Sequence, residues 1–239
     1  MREDDGVASE AVVLAGGLGT RIRSVVADLP KVMVDVGGRP FLEILLERMS
    51  QNGIGRVILA TGYMHSCIED HFGFRRGAVE IAYSVEDKPL GTGGALWRAL
   101  KLAAQSDVFV FNGDTFFDVG LDEMRRFHDA VGADVTLALK PMRDFARYGT
   151  VELTPPWITG FREKQPTREG LIHGGVYLVK RRSLERMVVP EKFSLETDLL
   201  EKMAGEIKIG GFVADRYFVD IGVPEDYVRA QQELPGMKK

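Results

Sequence analysis

Apolar residues recur along this chain in two rhythms. EAVVLAG (10–16), RVILAT (56–61), VEIAYS (79–84) and DVFVFNGD (107–114) are short runs rich in β-branched and other apolar residues, the pattern of strands covered on both faces. Between the first two runs, Phe41, Leu42, Leu45, Leu46 and Met49 fall at helical spacing, in a segment opened by Pro40 and stopped by Gly53. The same spacing predicts helices near 64–72, 93–104 and 121–132. Alternation of this kind predicts a parallel sheet with helices packed over it.

The rhythm changes after residue 132. ADVTLALK, YGTVELT, WITGFREK and IHGGVYLVK are strand-like runs separated by turn residues instead of helices, which predicts a partly antiparallel lobe continuing the same sheet. The tail returns to helix, strand and helix. The fold class expected is therefore α/β, a doubly wound, Rossmann-like mixed sheet flanked by helices. Residues 1–9 are expected to form a loose lead-in and 10–239 a single domain, its two lobes dividing between 132 and 133.

Composition narrows the function. The 239 residues carry a formal charge of −4, which argues against a nucleic-acid partner because phosphate-driven binding needs a clustered basic surface. No apolar run approaches membrane-spanning length, so no membrane partner is expected. The acidic, polar start MREDDGVASE is unlike a signal peptide, and one cysteine, Cys67, suits a reducing cytoplasm.

Chemistry concentrates first in LAGGLGTRIRSVVADLPK (14–31). A glycine-rich loop after a strand lets unpaired backbone N–H groups approach an anion closely. Neither GxxxxGK[ST] nor the full GxGxxG is present, which disfavours a dinucleotide cofactor. On glycines alone a tight turn explains the loop equally well. Arg21 and Lys31 tip the balance, since a turn needs no cations, whereas a triphosphate being cut needs positive charge on its oxygens.

This stretch resembles the signature of the nucleotidyltransferases that make nucleotide sugars by joining a nucleoside triphosphate to a sugar 1-phosphate. The resemblance runs from Ala11 to about Tyr227 and implies the nucleotide-diphospho-sugar transferase-like fold, with residues 10–132 as the nucleotide-binding lobe and 133–239 as the sugar-phosphate-binding lobe. It implies that Leu14, Ala15, Gly16, Gly17, Gly19 and Thr20 meet the nucleotide, with Arg21 and Lys31 on its phosphates. Val32 stands where the family usually has proline, which predicts a looser loop around Lys31, restrained from the other side by Pro30.

VEDKPLGTGGAL (85–96) matches the family's base-binding segment, with Gly91 and Thr92 in its turn and Glu86 before it. Read without the resemblance, the segment is better explained as a helix entry with Thr92 as its cap. A carboxylate only accepts hydrogen bonds, and guanine offers two adjacent donors, so Glu86 favours guanine. Uracil, with one N–H, also fits. Asp114 in FNGDTFFD and Asp220 in YFVDIGVPEDY match the family's two metal-binding aspartates, and the resemblance implies Mg²⁺. Asp118 reads as a solvated turn residue.

On the sugar side, the resemblance places Lys164 on the substrate phosphate, with Gly149, Glu163 and Glu196 on sugar hydroxyls. His173 occupies the position of the family's asparagine and offers a different reach and a possible charge. His65, Cys67 and His71 are spaced so that they do not share a helix face, which argues against a metal site there. At finer grain the motifs resemble the guanylyltransferase branch acting on D-glycero-α-D-manno-heptose 1-phosphate, whose product feeds surface polysaccharide. GTP and a sugar 1-phosphate are then the implied substrates and a homodimer the implied assembly. Mannose 1-phosphate guanylyltransfer, uridylyl transfer to another sugar phosphate, and a non-catalytic nucleotide-sugar-binding homologue are the alternatives.

Overall fold

The structure, a computed structural model, describes residues 9–17, 29–203 and 206–237. The strands expected in the first half are present as β1 (Ser9–Leu14), β2 (Ile54–Thr61), β4 (Val79–Val85) and β5 (Asp107–Asn112), with a two-residue β3 (Arg75–Arg76) beside β4. They alternate with α1 (Phe41–Gln51), α2 (His65–Phe72), α3 (Gly91–Leu100) and α4 (Leu121–Val131). β6 (Thr115–Phe117) precedes α4, and β7 (Val135–Phe145), β8 (Thr150–Thr154), β9 (Trp157–Arg162) and β10 (Thr167–Lys180) follow it. The remainder comprises α5 (Arg181–Glu185), a π-helical turn over Leu195–Leu200 that runs into α6 (Glu201–Met203), β11 (Ile209–Val213), β12 (Phe218–Asp220) and α7 (Pro224–Glu233).

Ten strands form one sheet in the order β3-β4-β2-β1-β5-β10-β7-β11-β9-β8. β4, β2, β1 and β5 run parallel, and β10 is antiparallel to both β5 and β7. The sheet therefore continues across the change of texture after residue 132. Side chains alternate between two apolar layers, as the period of a strand requires. Ala11, Val13, Phe109 and Phe111 face α1, α2 and α7, whereas Val12, Val108 and Val110 face α3, α5 and the π-helical turn. Full burial of each valine or phenylalanine among them contributes about 1.5–3 kcal/mol. Among the described residues, no helix is long and apolar enough to cross a membrane.

Three details depart from the pattern reading. α3 starts at Gly91 instead of 93, so the Gly-Thr-Gly-Gly segment is its first turn, and Leu90, not Thr92, is the N-cap. Val32 does not loosen the loop that carries Lys31: it is 3% exposed inside a 3₁₀ turn, Lys31–Met33, and belongs to the core. Finally, β6 and β12 pair as a separate two-stranded ladder, with Thr115 opposite Asp220. Strands of three residues are too short to carry a period of their own.

Candidate active site

The parallel strands define where a ligand can sit. From β1 the chain steps outward to β2 and β4, then returns to place β5 on the other side of β1. Loops leaving the carboxyl ends of β1 and β5 diverge at such a switch point and leave a crevice. Here Ala15, Gly16 and Gly17 follow β1, and Gly113 and Asp114 follow β5, with the Gly113 N–H donating to the Leu14 carbonyl at 3.0 Å. Glu86 follows β4 on the same edge.

A pocket of about 470 Å³ opens there, lined by Leu14, Ala15, Gly16, Gly17, Lys31, Glu86, Gly91, Thr92, Asn112 and Asp114 among others. The expected nucleotide-side residues are thus brought together; Gly19, Thr20 and Arg21 lie outside the described residues. Glu86 accepts from the Leu90 N–H through Oε2 at 3.2 Å, while Oε1 lies over Gly16 and Gly62. Burial raises its pKa, and the Leu90 N–H and Arg98 only partly oppose that.

The glycines of the Gly-Thr-Gly-Gly turn pack closely against the loop carrying Glu191 and Phe193. A Cβ at Gly93 would lie 2.1 Å from the Phe193 ring, and one at Gly94 2.4 Å from the Glu191 carbonyl oxygen. Close approach of this loop, with Gly93 N–H bonded to the Phe193 carbonyl, requires small residues whether or not a base is bound. The Thr92 hydroxyl is also engaged within the protein, donating to Glu196 at 2.8 Å and accepting from the Leu195 N–H at 2.9 Å.

Where the β6–β12 ladder ends, the acidic pair forms. Asp114 lies in the turn after β5, two residues beyond its last strand residue, Asn112, and its carbonyl accepts from the Ile221 N–H at 2.9 Å, next to Asp220. Lys31 Nζ donates to Asp114 Oδ2 at 2.5 Å with its side chain 10% exposed. A Cβ at Gly222 would stand 2.7 Å from Asp220 Oδ1 and 2.9 Å from Lys31 Nζ, so a larger residue there would displace these charged groups. Burial and then the Asp114 charge raise the pKa of Asp220, against the opposing pull of Lys31, the Gly222 N–H and Arg147.

A second cleft, of about 720 Å³, shares Asn112 and Asp114 with the first pocket and also takes in Asp220, Gly149, Glu163, Lys164, His173 and Glu196. Glu163 and Lys164 follow β9 and are exposed. Glu196 Oε1 accepts from the Tyr177 hydroxyl at 2.7 Å, and its Oε2 accepts from Thr92 and from Ser194. Burial alone would raise the Glu196 pKa, but these hydrogen bonds outweigh it and hold the carboxyl below its ordinary value. His173, whose ring centroid is 4.1 Å from that of Tyr177, is pushed down to about 4 by burial, so it is neutral at physiological pH and does not bring the charge its type could carry. Its Nε2 and the Asn112 Oδ1 are buried without a hydrogen-bond partner among the described residues.

The nucleotidyl transferase family profile matches residues 10–236. This chain belongs to that family. It is 47% identical over 225 residues to the D-glycero-α-D-manno-heptose 1-phosphate guanylyltransferase of Aneurinibacillus thermoaerophilus, covering 94% of this chain and 98% of the relative. It is 41% identical to the enzyme of the same name from Campylobacter jejuni, covering 91% and 96%. Among solved structures, HddC from Yersinia pseudotuberculosis, complexed with GMP-PN, matches with a TM-score of 0.83 and 33% identity over 94% of this chain and 99% of that one.

In this nucleotidyl transferase, some residues of the crevice were not singled out by sequence reasoning. Asn112 lines both pockets, and Tyr148 lines the larger one. Their only sequence signal is adjacency to Asp114 and Gly149. Asp118 is not a free turn residue: it is ion-paired with Arg48 of α1. His65 lies near Glu69 and His71 near Glu43, and no group of three or more His, Cys, Asp or Glu side chains forms a metal cluster among the described residues.

Proposed function

We propose that this nucleotidyl transferase moves a guanylyl group from GTP to a sugar 1-phosphate, D-glycero-α-D-manno-heptose 1-phosphate in the first instance, releasing pyrophosphate. The observation that carries the reading is the meeting of two pockets at Asn112 and Asp114, with Lys31 and Asp220 beside the junction. A nucleotide in one pocket and a sugar phosphate in the other bring their phosphates to that junction. The two relatives named above supply the choice of base and sugar.

The donor set at the junction fits magnesium. Two carboxylates stand close enough that one raises the pKa of the other, and Mg²⁺ characteristically takes one or two protein carboxylates together with phosphate oxygens and water. Asp114 and Asp220 would hold it, and bound there it would offset phosphate charge and orient the α-phosphate.

The chain's own groups do the rest. A sugar-phosphate oxygen attacks the α-phosphorus in line, the bond to the β-phosphate oxygen breaks, and pyrophosphate leaves with the electron pair. Both reactants are anions, so positioning and charge are the main contributions. Lys31, fixed by Asp114, offsets charge at the reacting phosphate; Lys164 offsets it on the incoming one; Arg21 is assigned to the departing pyrophosphate. Glu86 accepts from the guanine N1–H and exocyclic amine through Oε1 and the lone pair of Oε2 that the Leu90 N–H leaves free. Asn112 and neutral His173 offer an acceptor and a ring nitrogen to hydroxyls in the larger cleft.

Pyrophosphate release measured with four nucleoside triphosphates against mannose, glucose and heptose 1-phosphates tests this. Highest turnover with GTP and the heptose phosphate is expected. Preference for UTP, or for glucose 1-phosphate, overturns the assignment, and absence of turnover with every pair leaves the non-catalytic alternative standing.

A further inference from the structure

The larger cleft has a wall to which the reading above gives no task. Its lining continues past Glu196 along the π-helical turn and α6 to Thr197, Leu200 and Glu201. Residues four apart on a helix share a face, so Thr197 and Glu201 present a hydroxyl and a carboxylate to the cleft side by side. Leu200 between them is 1% exposed and anchors the segment in the core.

The neighbouring polar groups are committed elsewhere. Asp198 Oδ2 accepts from the Ser194 N–H at 2.9 Å, and its Oδ1 pairs with Lys202 at 2.8 Å. Thr197 takes part only through its backbone N–H, which donates to Ser194 Oγ at 3.3 Å. Among the described residues, neither the Thr197 hydroxyl nor the Glu201 carboxylate has a side-chain partner. Thr197 and Glu201 line the cleft, whereas the Asp198–Lys202 pair does not. Turns of the π-helical kind recur at functional sites.

We infer that Thr197 and Glu201 form a polyol-reading edge that engages the hydroxyls of a sugar 1-phosphate whose carbon chain extends beyond the ring. This rests on the heptose 1-phosphate reading above and deepens it by naming the residues that distinguish a sugar with an exocyclic diol from a hexose. A carboxylate accepts from two adjacent hydroxyls at once, and a threonine hydroxyl both donates and accepts, so the pair complements a vicinal diol. A hexose with a single exocyclic hydroxyl satisfies less of it. The cleft, about 720 Å³, is of a size to admit the longer substrate.

The test is the ratio of kcat/KM for heptose 1-phosphate to that for mannose 1-phosphate, with GTP and Mg²⁺, in the unaltered protein and in Glu201→Ala, Glu201→Gln and Thr197→Ala. The ratio is expected to fall about tenfold or more in Glu201→Ala, as loss of a charged hydrogen bond implies. A smaller fall is expected for the other two. Lys202→Ala, on the outer face of the same segment, is the control and should leave the ratio in place. An unchanged ratio in both Glu201 variants, or an equal fall in the control, overturns the inference while leaving sugar-1-phosphate guanylyl transfer intact. If the unaltered protein turns over neither sugar, the reading of the whole cleft falls, and this inference with it.

Discussion

The guanidinium of Arg147, in the turn before β8, is ion-paired with Asp226 in the first turn of α7. The same guanidinium hydrogen-bonds the Tyr148 hydroxyl at 3.0 Å. Tyr148 and Gly149 line the larger cleft, and Asp220 lies just before α7, so the pair ties the turn before β8 to the strand end that carries the aspartate. Asp226 is 8% exposed, whereas the Arg147 side chain is 44% exposed, so solvent weakens the interaction.

Replacing Asp226 with asparagine therefore acts on geometry more than on stability. A loss of about 1–2 kcal/mol is expected, together with a rise in the KM for sugar phosphate that exceeds any rise in the KM for GTP. Steady-state kinetics and thermal melting check this. Equal effects on both KM values would remove the clamp role.

Asp220 predicts a separation of stability from activity. Burial and the neighbouring Asp114 charge raise its pKa, so the folded state holds this ionised carboxylate at some expense. The sign follows: its contribution to stability is largest below the ordinary carboxylate pKa and declines as pH rises through the raised value. Asp220→Asn should melt no lower than the parent at neutral pH without ligands, while turnover falls by about 10²-fold or more. A lower melting point with retained turnover would contradict both halves.

Glu86 should govern base choice. Glutamine at this position replaces one acceptor with a donor, which opposes the guanine N1–H. The expected loss is about 1–3 kcal/mol of discrimination, read as a roughly 10- to 100-fold fall in kcat/KM for GTP relative to the other triphosphates. A panel of nucleotides at fixed sugar phosphate decides it; an unchanged order of preference would move base reading elsewhere.

Lys164 is exposed and lines the larger cleft. Its truncation to alanine should raise the sugar-phosphate KM strongly and leave folding unaffected. Initial-rate kinetics and circular dichroism separate the two, and an unaltered KM would exclude a phosphate role.

His173 sets a pH trend. Burial pushes its pKa down to about 4, against an ordinary 6.5, although Glu196 pulls the other way. The neutral ring's contribution is then fully present above pH 6.5 and lost as pH falls toward 4. The melting-temperature difference between the parent and His173→Asn should narrow over that window, with Glu196 and Tyr177 as the ionisable groups facing the ring. A constant difference would show that the ring does not titrate as buried.

Much of this molecule was legible in one dimension. β1, β2, β4 and β5 were readable because strands covered on both faces are apolar throughout, and α1 because its buried face repeats at helical spacing. Leu14–Gly17, Asp114 and Asp220 were recognisable as local patterns at or within a few residues of a strand end, and Lys31 as a cation that follows the glycine-rich stretch. The packing that requires Gly93 and Gly94 was not, since a glycine forced by an approaching loop and one that leaves room for a ligand look alike in sequence.

What the sequence by itself determined was the kind of elements, their order, and which residue types carry charge beside which glycines, because those follow from the burial and backbone preferences of neighbouring residues. Only the tertiary structure decided that β6 pairs with β12 to set Asp114 beside Asp220, that Glu196 is held by Tyr177 and Thr92, and that Arg147 reaches Asp226. Such contacts join segments far apart along the chain through pairings of a few atoms. Their free energy depends on register and packing across the whole sheet, and so leaves no periodic trace in any one stretch.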